Sequence, residues 1–254
     1  MLKDLIYKWF YNYTASFLKN DDSSPYALKY QHTIRVAQNA KKIAIKNNFP
    51  EPDINLAETI GLLHDCGRFQ QFAQYGTFND RLSEDHAELS ARIITSEKLL
   101  SNINKGDSDI ILKAVAFHNK KTLPTAELTD RELKFARIVR DADKVDIYHV
   151  MANQLKNPQI DHKTLFLNQS EEVAFSAPIL DAIKNQHIAN IEDMKTEVDF
   201  RMIQLSWVFD INFPASLELI KSQGNLNYLI DVLPAKELVK DELNIIKKQI
   251  DYEK

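Results

Sequence analysis

The chain has 254 residues, 44% of them hydrophobic, with 32 basic against 36 acidic side chains and a net charge of -4. That length and apolar content allow a sizeable core, read here as one compact body, and the slight acidity recommends neither a nucleic-acid backbone nor an anionic membrane as partner. Its single cysteine, Cys66, excludes an internal disulfide, and no apolar run reaches the roughly 20 residues of a membrane span, so a soluble cytoplasmic protein is expected.

Five glycines and eight prolines are too few to turn a many-stranded sheet, while apolar residues recur at three and four spacing throughout. The fold is therefore expected to be all α. Leu2–Leu18 aligns Leu5, Ile6, Trp9, Phe10, Tyr13 and Phe17 along one stripe and lacks the basic, apolar and small-residue order of a signal peptide. Asp21-Asp22-Ser23-Ser24-Pro25 should stop it. A second helix, about Ala27 to Asn48, carries His32 and ends before Phe49-Pro50-Glu51-Pro52.

Asp53 then reads as the N-cap of a helix that ends with His64 and Asp65 in its last turn, and Gly67 suits a left-handed residue just beyond it. Phe69 to Leu82 has no clean period and is expected to be a short helix and a covering loop. Ser83, followed by two acids, should start a helix that bears His86. Asp107 or Ser108 should cap Ile110–His118, and Asp130 a long helix from Arg131 to about Gln154 containing Asp141-Ala142-Asp143-Lys144-Val145-Asp146. An irregular polar stretch, 157–178, precedes helices near Ile179–Ile188, Glu192–Phe213, Ala215–Ser222, Leu226–Val232 and Ala235–Tyr252. No repeat or linker is evident.

Imidazole and carboxylate together are ligands for Zn, Mn, Fe, Co or Ni. Such residues stand on five separate helical segments: His32, His64 with Asp65, His86, His118, and one aspartate of the Asp-Ala-Asp. Ligands converging from separate helices make a metal site in a bundle core. Asp141 and Asp143 are turned about 200 degrees from each other on a helix, so both cannot face one ion. A histidine alone is more often a packed or surface residue, and His149, His162 and His187 have no comparable surroundings. Cys66 is read as small apolar packing.

From about Tyr30 to Val150, the order His32, His64-Asp65, His86, His118, Ala142-Asp143-Lys144 resembles the HD superfamily of metal-dependent phosphohydrolases. The resemblance implies a helical bundle, a metal-binding core over about 25–155 with a C-terminal helical extension over about 156–254, and one or two divalent ions (Mn, Mg, Fe, Zn, Co or Ni). His32, His64, Asp65 and Asp143 would hold the first ion. His86 and His118, with Asp65 bridging, would hold a second.

Asp146 would stand behind the ligands on the face of Asp143. The implied reaction is attack of a metal-activated water on a small, nucleotide-like phosphomonoester or phosphodiester. Asp65, Arg68, His86 and His118 are the expected catalytic residues, with Arg68 preferred over Lys120, Lys121 and Lys144 as phosphate clamp. Phe69, Phe72, Tyr75 and Phe78 suit either core packing or a nucleobase. Asp199, Arg201, Gln204, Ser206, Trp207 and Asp210 suit either a buried helix or a pocket wall. A homo-oligomer is compatible with the sequence. Two rival readings are an HD-type di-iron oxygenase and a non-catalytic nucleotide-sensing HD module.

Overall fold

The structure, a computed structural model, describes residues 2–18, 25–157 and 173–251. Among these residues there is no strand. The helices are α1 (Leu2–Leu18), α2 (Pro25–Lys46), α3 (Glu51–Leu63), α4 (Gly67–Tyr75), α5 (His86–Ser96), α6 (Lys105–Phe117), α7 (Asp130–Lys156), α8 (Ala177–Lys184), α9 (Glu197–Ser206), α10 (Pro214–Gln223), α11 (Asn225–Asp231) and α12 (Lys240–Asp251). The fold is all α, as the periodicity predicts. None of the described helices is long and apolar enough to cross a membrane. The chain divides into two compact units, residues 1–146 and 147–254.

The first unit is centred on α2 and α3. One buries Val36, Ala37, Ala40, Ile43 and Ala44, the other Leu56, Ala57, Ile60, Leu62 and Leu63. A Cβ on Gly61 would lie 2.8 Å from the Ala37 Cα, so only glycine lets the two backbones approach this closely. Gly67 does the same toward α5: a Cβ there would lie 2.6 Å from the His86 carbonyl oxygen and 2.7 Å from the Ser90 nitrogen. Its N–H donates to Ser90 Oγ at 2.8 Å. The two glycines hold the His64-Asp65 doublet close to α2 on one side and to α5 on the other.

The predicted left-handed role of Gly67 is thus replaced by a packing role. Gly67 is the first residue of α4, and the glycines with positive φ are Gly76 and Gly224. His64 caps α3 rather than lying in its last turn. Phe69, fully buried, meets the rings of Phe10, Tyr13, Phe17 and Tyr26 at centroid distances of 5.8–6.4 Å, which ties α1 to α4. Phe72 packs against Tyr26 and Phe78. Core packing therefore accounts for Phe69 and Phe72, while Tyr75 is exposed.

The expected caps differ by a few residues. Asp53 lies inside the first turn of α3, behind Pro50. Asp85, not Ser83, caps α5 by accepting from the Ala87 and Glu88 N–H groups, and Asn104, not Asp107 or Ser108, caps α6. At α7 the reciprocal pair is Thr129 with Glu132, each side chain accepting from the other's backbone N–H. An acid within the first turn gains from the helix dipole as a cap does, so composition alone does not separate the two positions.

In the second unit the predicted helix Glu192–Phe213 is interrupted. A 3-10 turn at Ile191–Asp193 precedes α9, and another, Trp207–Asp210, follows it. Thr196 and Asp199 form a capping box that starts α9, and the fully buried Asp199 also accepts from the Ser176 N–H and hydroxyl at 2.8 and 2.7 Å. Ser206 Oγ accepts from the Ala189 N–H, and Tyr148 donates to the Gln204 carbonyl. Asp199 and Ser206 are thus engaged in holding this unit's own backbone. The last predicted helix begins later, at Lys240, because Ala235 takes φ 49° and a 3-10 turn follows. The predicted stop at Asp21–Ser24, most of the irregular stretch with His162, and Tyr252 lie outside the described residues.

Candidate metal centre

Four buried histidines each anchor Nδ1 and turn Nε2 to a common centre. His64 Nδ1 pairs with the Gly61 carbonyl and His118 Nδ1 with the Val115 carbonyl, both at 2.7 Å. Because a carbonyl only accepts, both rings carry their proton on Nδ1 and leave the Nε2 lone pair free. His32 Nδ1 pairs with Asp146 Oδ2 at 2.7 Å and His86 Nδ1 with Asp80 Oδ2 at 2.6 Å. A ligating histidine is oriented in this way by a carbonyl or carboxylate behind it.

Asp65, buried in the turn between α3 and α4, divides its carboxylate between two groups. Its Oδ2 lies 3.6 Å from His32 Nε2 and 3.7 Å from His64 Nε2. Its Oδ1 lies 3.4 Å from His86 Nε2 and 3.7 Å from His118 Nε2. Asp143 completes the first group, with Oδ1 3.1 Å from His32 Nε2 and 3.8 Å from His64 Nε2. The sets His32-His64-Asp143 and His64-Asp65-His118 each bring ligand atoms within 4.8 Å of one another.

These atoms fit a cation. His64 Nε2 and Asp65 Oδ1 are buried without a hydrogen-bond partner. His86 Nε2 and His118 Nε2 face each other at 3.1 Å, a separation suited to two nitrogens each about 2.0–2.1 Å from one ion. Two lone pairs at that distance repel unless a positive charge stands between them.

The electrostatics agree. Burial pulls the His32 pKa down, but Asp143 and Asp146 raise it to about 9. The same two carboxylates attract a metal cation, which has to displace the proton that His32 holds near neutral pH. Burial alone would raise the Asp65 carboxyl, yet Lys29 and then His64 hold it well below the usual range. Asp143 is likewise lowered against its burial by His32 and His64. Burial, reinforced by the Arg68 charge, pushes His86 down to about 4 and keeps it neutral and ligand-competent near neutral pH.

Arg68 lies in α4, not beyond a helix end. Its Nη1 donates to Gln71 Oε1 at 2.7 Å, to the Phe78 carbonyl at 2.5 Å and to Asp80 Oδ1 at 2.8 Å. Its Nε lies buried 3.6 Å from Asp65 Oδ1 without a hydrogen-bond partner. Asp146 stands behind His32 as expected and is itself held by Arg35 Nε at 2.6 Å. Asp141 is fully buried.

Lys120 pairs with Asp85 and Glu88. Lys144 is buried. Cys66 is buried against Ser90, and burial raises its thiol to about 12, so it packs as expected.

Sequence reasoning missed three neighbours. Lys29 places Nζ 3.0 Å from Asp65 Oδ2; its signal was a cation one helical turn before His32. Asp80 orients His86 from a 3-10 turn whose placement no local pattern announces. Buried Arg140 donates to the His118 carbonyl at 3.0 Å and also to the Lys120 carbonyl, fixing the chain just past α6. Asp80, Asp85 and His86 also lie together, but Asp85 is occupied as a cap and Asp80 as the anchor of His86.

Residues 30–148, a little under half of the chain, match the family model of the HD domain. HD domains bind divalent metal ions and belong to a superfamily of metal-dependent phosphohydrolases. No curated protein and no solved structure matches the chain.

Proposed function

We propose that the chain is a metal-dependent phosphohydrolase that cleaves a small, nucleotide-like phosphomonoester or phosphodiester. His32, His64, Asp65 and Asp143 hold one ion, and His86, His118 and the second oxygen of Asp65 hold another. The observation that carries this reading is the divided carboxylate of Asp65, with Oδ2 beside one histidine pair and Oδ1 beside the other.

When bound, the ions supply an acidified water and neutralise charge on the phosphoryl oxygens. Asp65 and Asp143 offset the cationic charge, and the anchored Nδ1 atoms keep all four imidazoles oriented as donors. Arg68 Nε, buried without a hydrogen-bond partner, is available to a phosphate oxygen. If one ion alone is held, His86 or His118 serves the phosphate or protonates the leaving oxygen only after taking up a proton at Nε2.

The test combines metal analysis of anaerobically purified protein with a panel of nucleotides, phosphomonoesters and cyclic dinucleotides, read by phosphate or product release. Expected is release that a chelator stops and added metal restores. Oxygen uptake by the iron-loaded protein without phosphate release would favour an oxygenase. Absence of turnover by metal-loaded protein across the panel would favour a nucleotide-sensing module.

A further inference from the structure

Lys29 stands where a metal ion would compete with it. It lies on α2, one turn before His32, and its Nζ is 3.0 Å from Asp65 Oδ2. That same oxygen lies 3.6 Å from His32 Nε2 and 3.7 Å from His64 Nε2. An ammonium and a divalent cation on one carboxylate oxygen repel each other at short range in a buried setting, where water screens them little. Binding of either cation therefore weakens the hold of the other on that oxygen.

Lys29 has somewhere to go. Its side chain is 17% exposed, against 4% for Asp65, so it reaches the partner from the rim of the centre. Its Nζ also lies 5.5 Å from the centroid of the Phe78 ring, and the Arg68 guanidinium lies 6.0 Å from the same ring. A flexible four-carbon stem with three donors can leave a carboxylate and stay at such an aromatic surface. Lys29, Phe78 and Arg68 thus gather two cationic groups beside Asp65.

We propose that Lys29 is a tethered cation that neutralises Asp65, is displaced by the ion bound at His32, His64 and Asp143, and then anchors the phosphate of the substrate. The proposal rests on the metal reading above and gives Lys29 two effects of opposite sign. A purely structural ion pair gives no such opposition: its loss would destabilise the protein without improving metal binding.

The experiment compares wild type, Lys29→Met and Lys29→Gln, each stripped of metal, by equilibrium titration with Mn²⁺ and then, when Mn-loaded, with inorganic phosphate. Both variants are measured so that a folding defect peculiar to one side chain does not decide the result, and thermal melting checks each. Losing a charge-assisted partner is expected to tighten Mn²⁺ binding about tenfold and to weaken phosphate binding about tenfold. Equal or weaker Mn²⁺ binding by variants that melt cooperatively overturns the competition while leaving the metal centre standing. Unchanged phosphate affinity overturns the anchoring role. If wild type and both variants fail to bind Mn²⁺, the proposal falls together with the reading of the site.

Discussion

Gly61 packs so closely on Ala37 that a Cβ added to it would stand 2.8 Å from the Ala37 Cα. The contact is backbone against backbone, so neither side can relieve it by a rotamer change. Gly61→Ala is expected to cost about 1–3 kcal/mol or more in denaturant unfolding, the range of overpacked cores. Gly106, also helical, offers a contrast: its added Cβ meets only Asn104 Oδ1, at 3.4 Å. Gly106→Ala is expected to be stabilising by a few tenths to about 1 kcal/mol. Equal effects of the two substitutions would remove the packing explanation.

Asp80 reaches His86 Nδ1 at 2.6 Å and is braced by Arg68 and Gln71. Asp80→Ala is expected to weaken the ion at His86 and His118 about 10- to 100-fold, as loss of a group behind a ligand does. Metal titration should show the change at one ion and leave the other close to its wild-type affinity. Uniform weakening of both would instead indicate a general loss of structure.

Glu58 gives a pH dependence away from the metal ligands. It is buried, accepts from Tyr7 at 2.8 Å and pairs with Lys3 at 2.8 Å and Lys41 at 3.3 Å. Burial alone would raise its carboxyl, but Lys3 and Tyr7 hold it below its ordinary 4.5. A carboxyl lowered on folding contributes stability that is present above its unfolded pKa and is lost as pH falls through the folded value. Glu58→Gln is therefore expected to be less stable than wild type at pH 7, with the gap closing as pH drops below about 4.5. Urea melts of both proteins between pH 7 and pH 3 measure it. A gap independent of pH would show that the ionised carboxylate is not what matters.

Asp141 and Asp143 should separate by phenotype. Asp143 Oδ1 lies 3.1 Å from His32 Nε2, whereas Asp141 is fully buried two residues earlier, about 200 degrees around the helix. Asp143→Ala is expected to lose the ion at His32 and His64 while the far-ultraviolet circular dichroism stays close to wild type. Asp141→Ala is expected to keep metal and lower the melting temperature. The reverse pattern would exchange their roles.

Much of this arrangement was legible in the chain. Apolar spacing gives the helices, because burial of one face leaves its period in the sequence, and the order of histidines and aspartates marks the residues that converge on Asp65. What was not legible depends on contacts between segments distant in sequence. Gly67 carries the same letter whether it opens a left-handed turn or makes room for His86 and Ser90 of α5. Asp80 has no local period, and its pairing with His86 depends on how the chain from Phe78 to Leu82 folds back. Lys29 was visible one turn from His32, but a lysine on a helix face is ordinarily solvated, and only the tertiary fold brings it to Asp65.

Asp65 is shared by both histidine groups, so its removal tests the whole centre at once. The measurement is phosphate release by Asp65→Ala at saturating metal, on the substrate that wild type turns over best. Expected is a fall of more than about 100-fold, beyond the 10- to 100-fold that a group behind a ligand commands, with the helical fold retained. Turnover by Asp65→Ala at the wild-type rate would contradict the assignment of this centre as the site of hydrolysis.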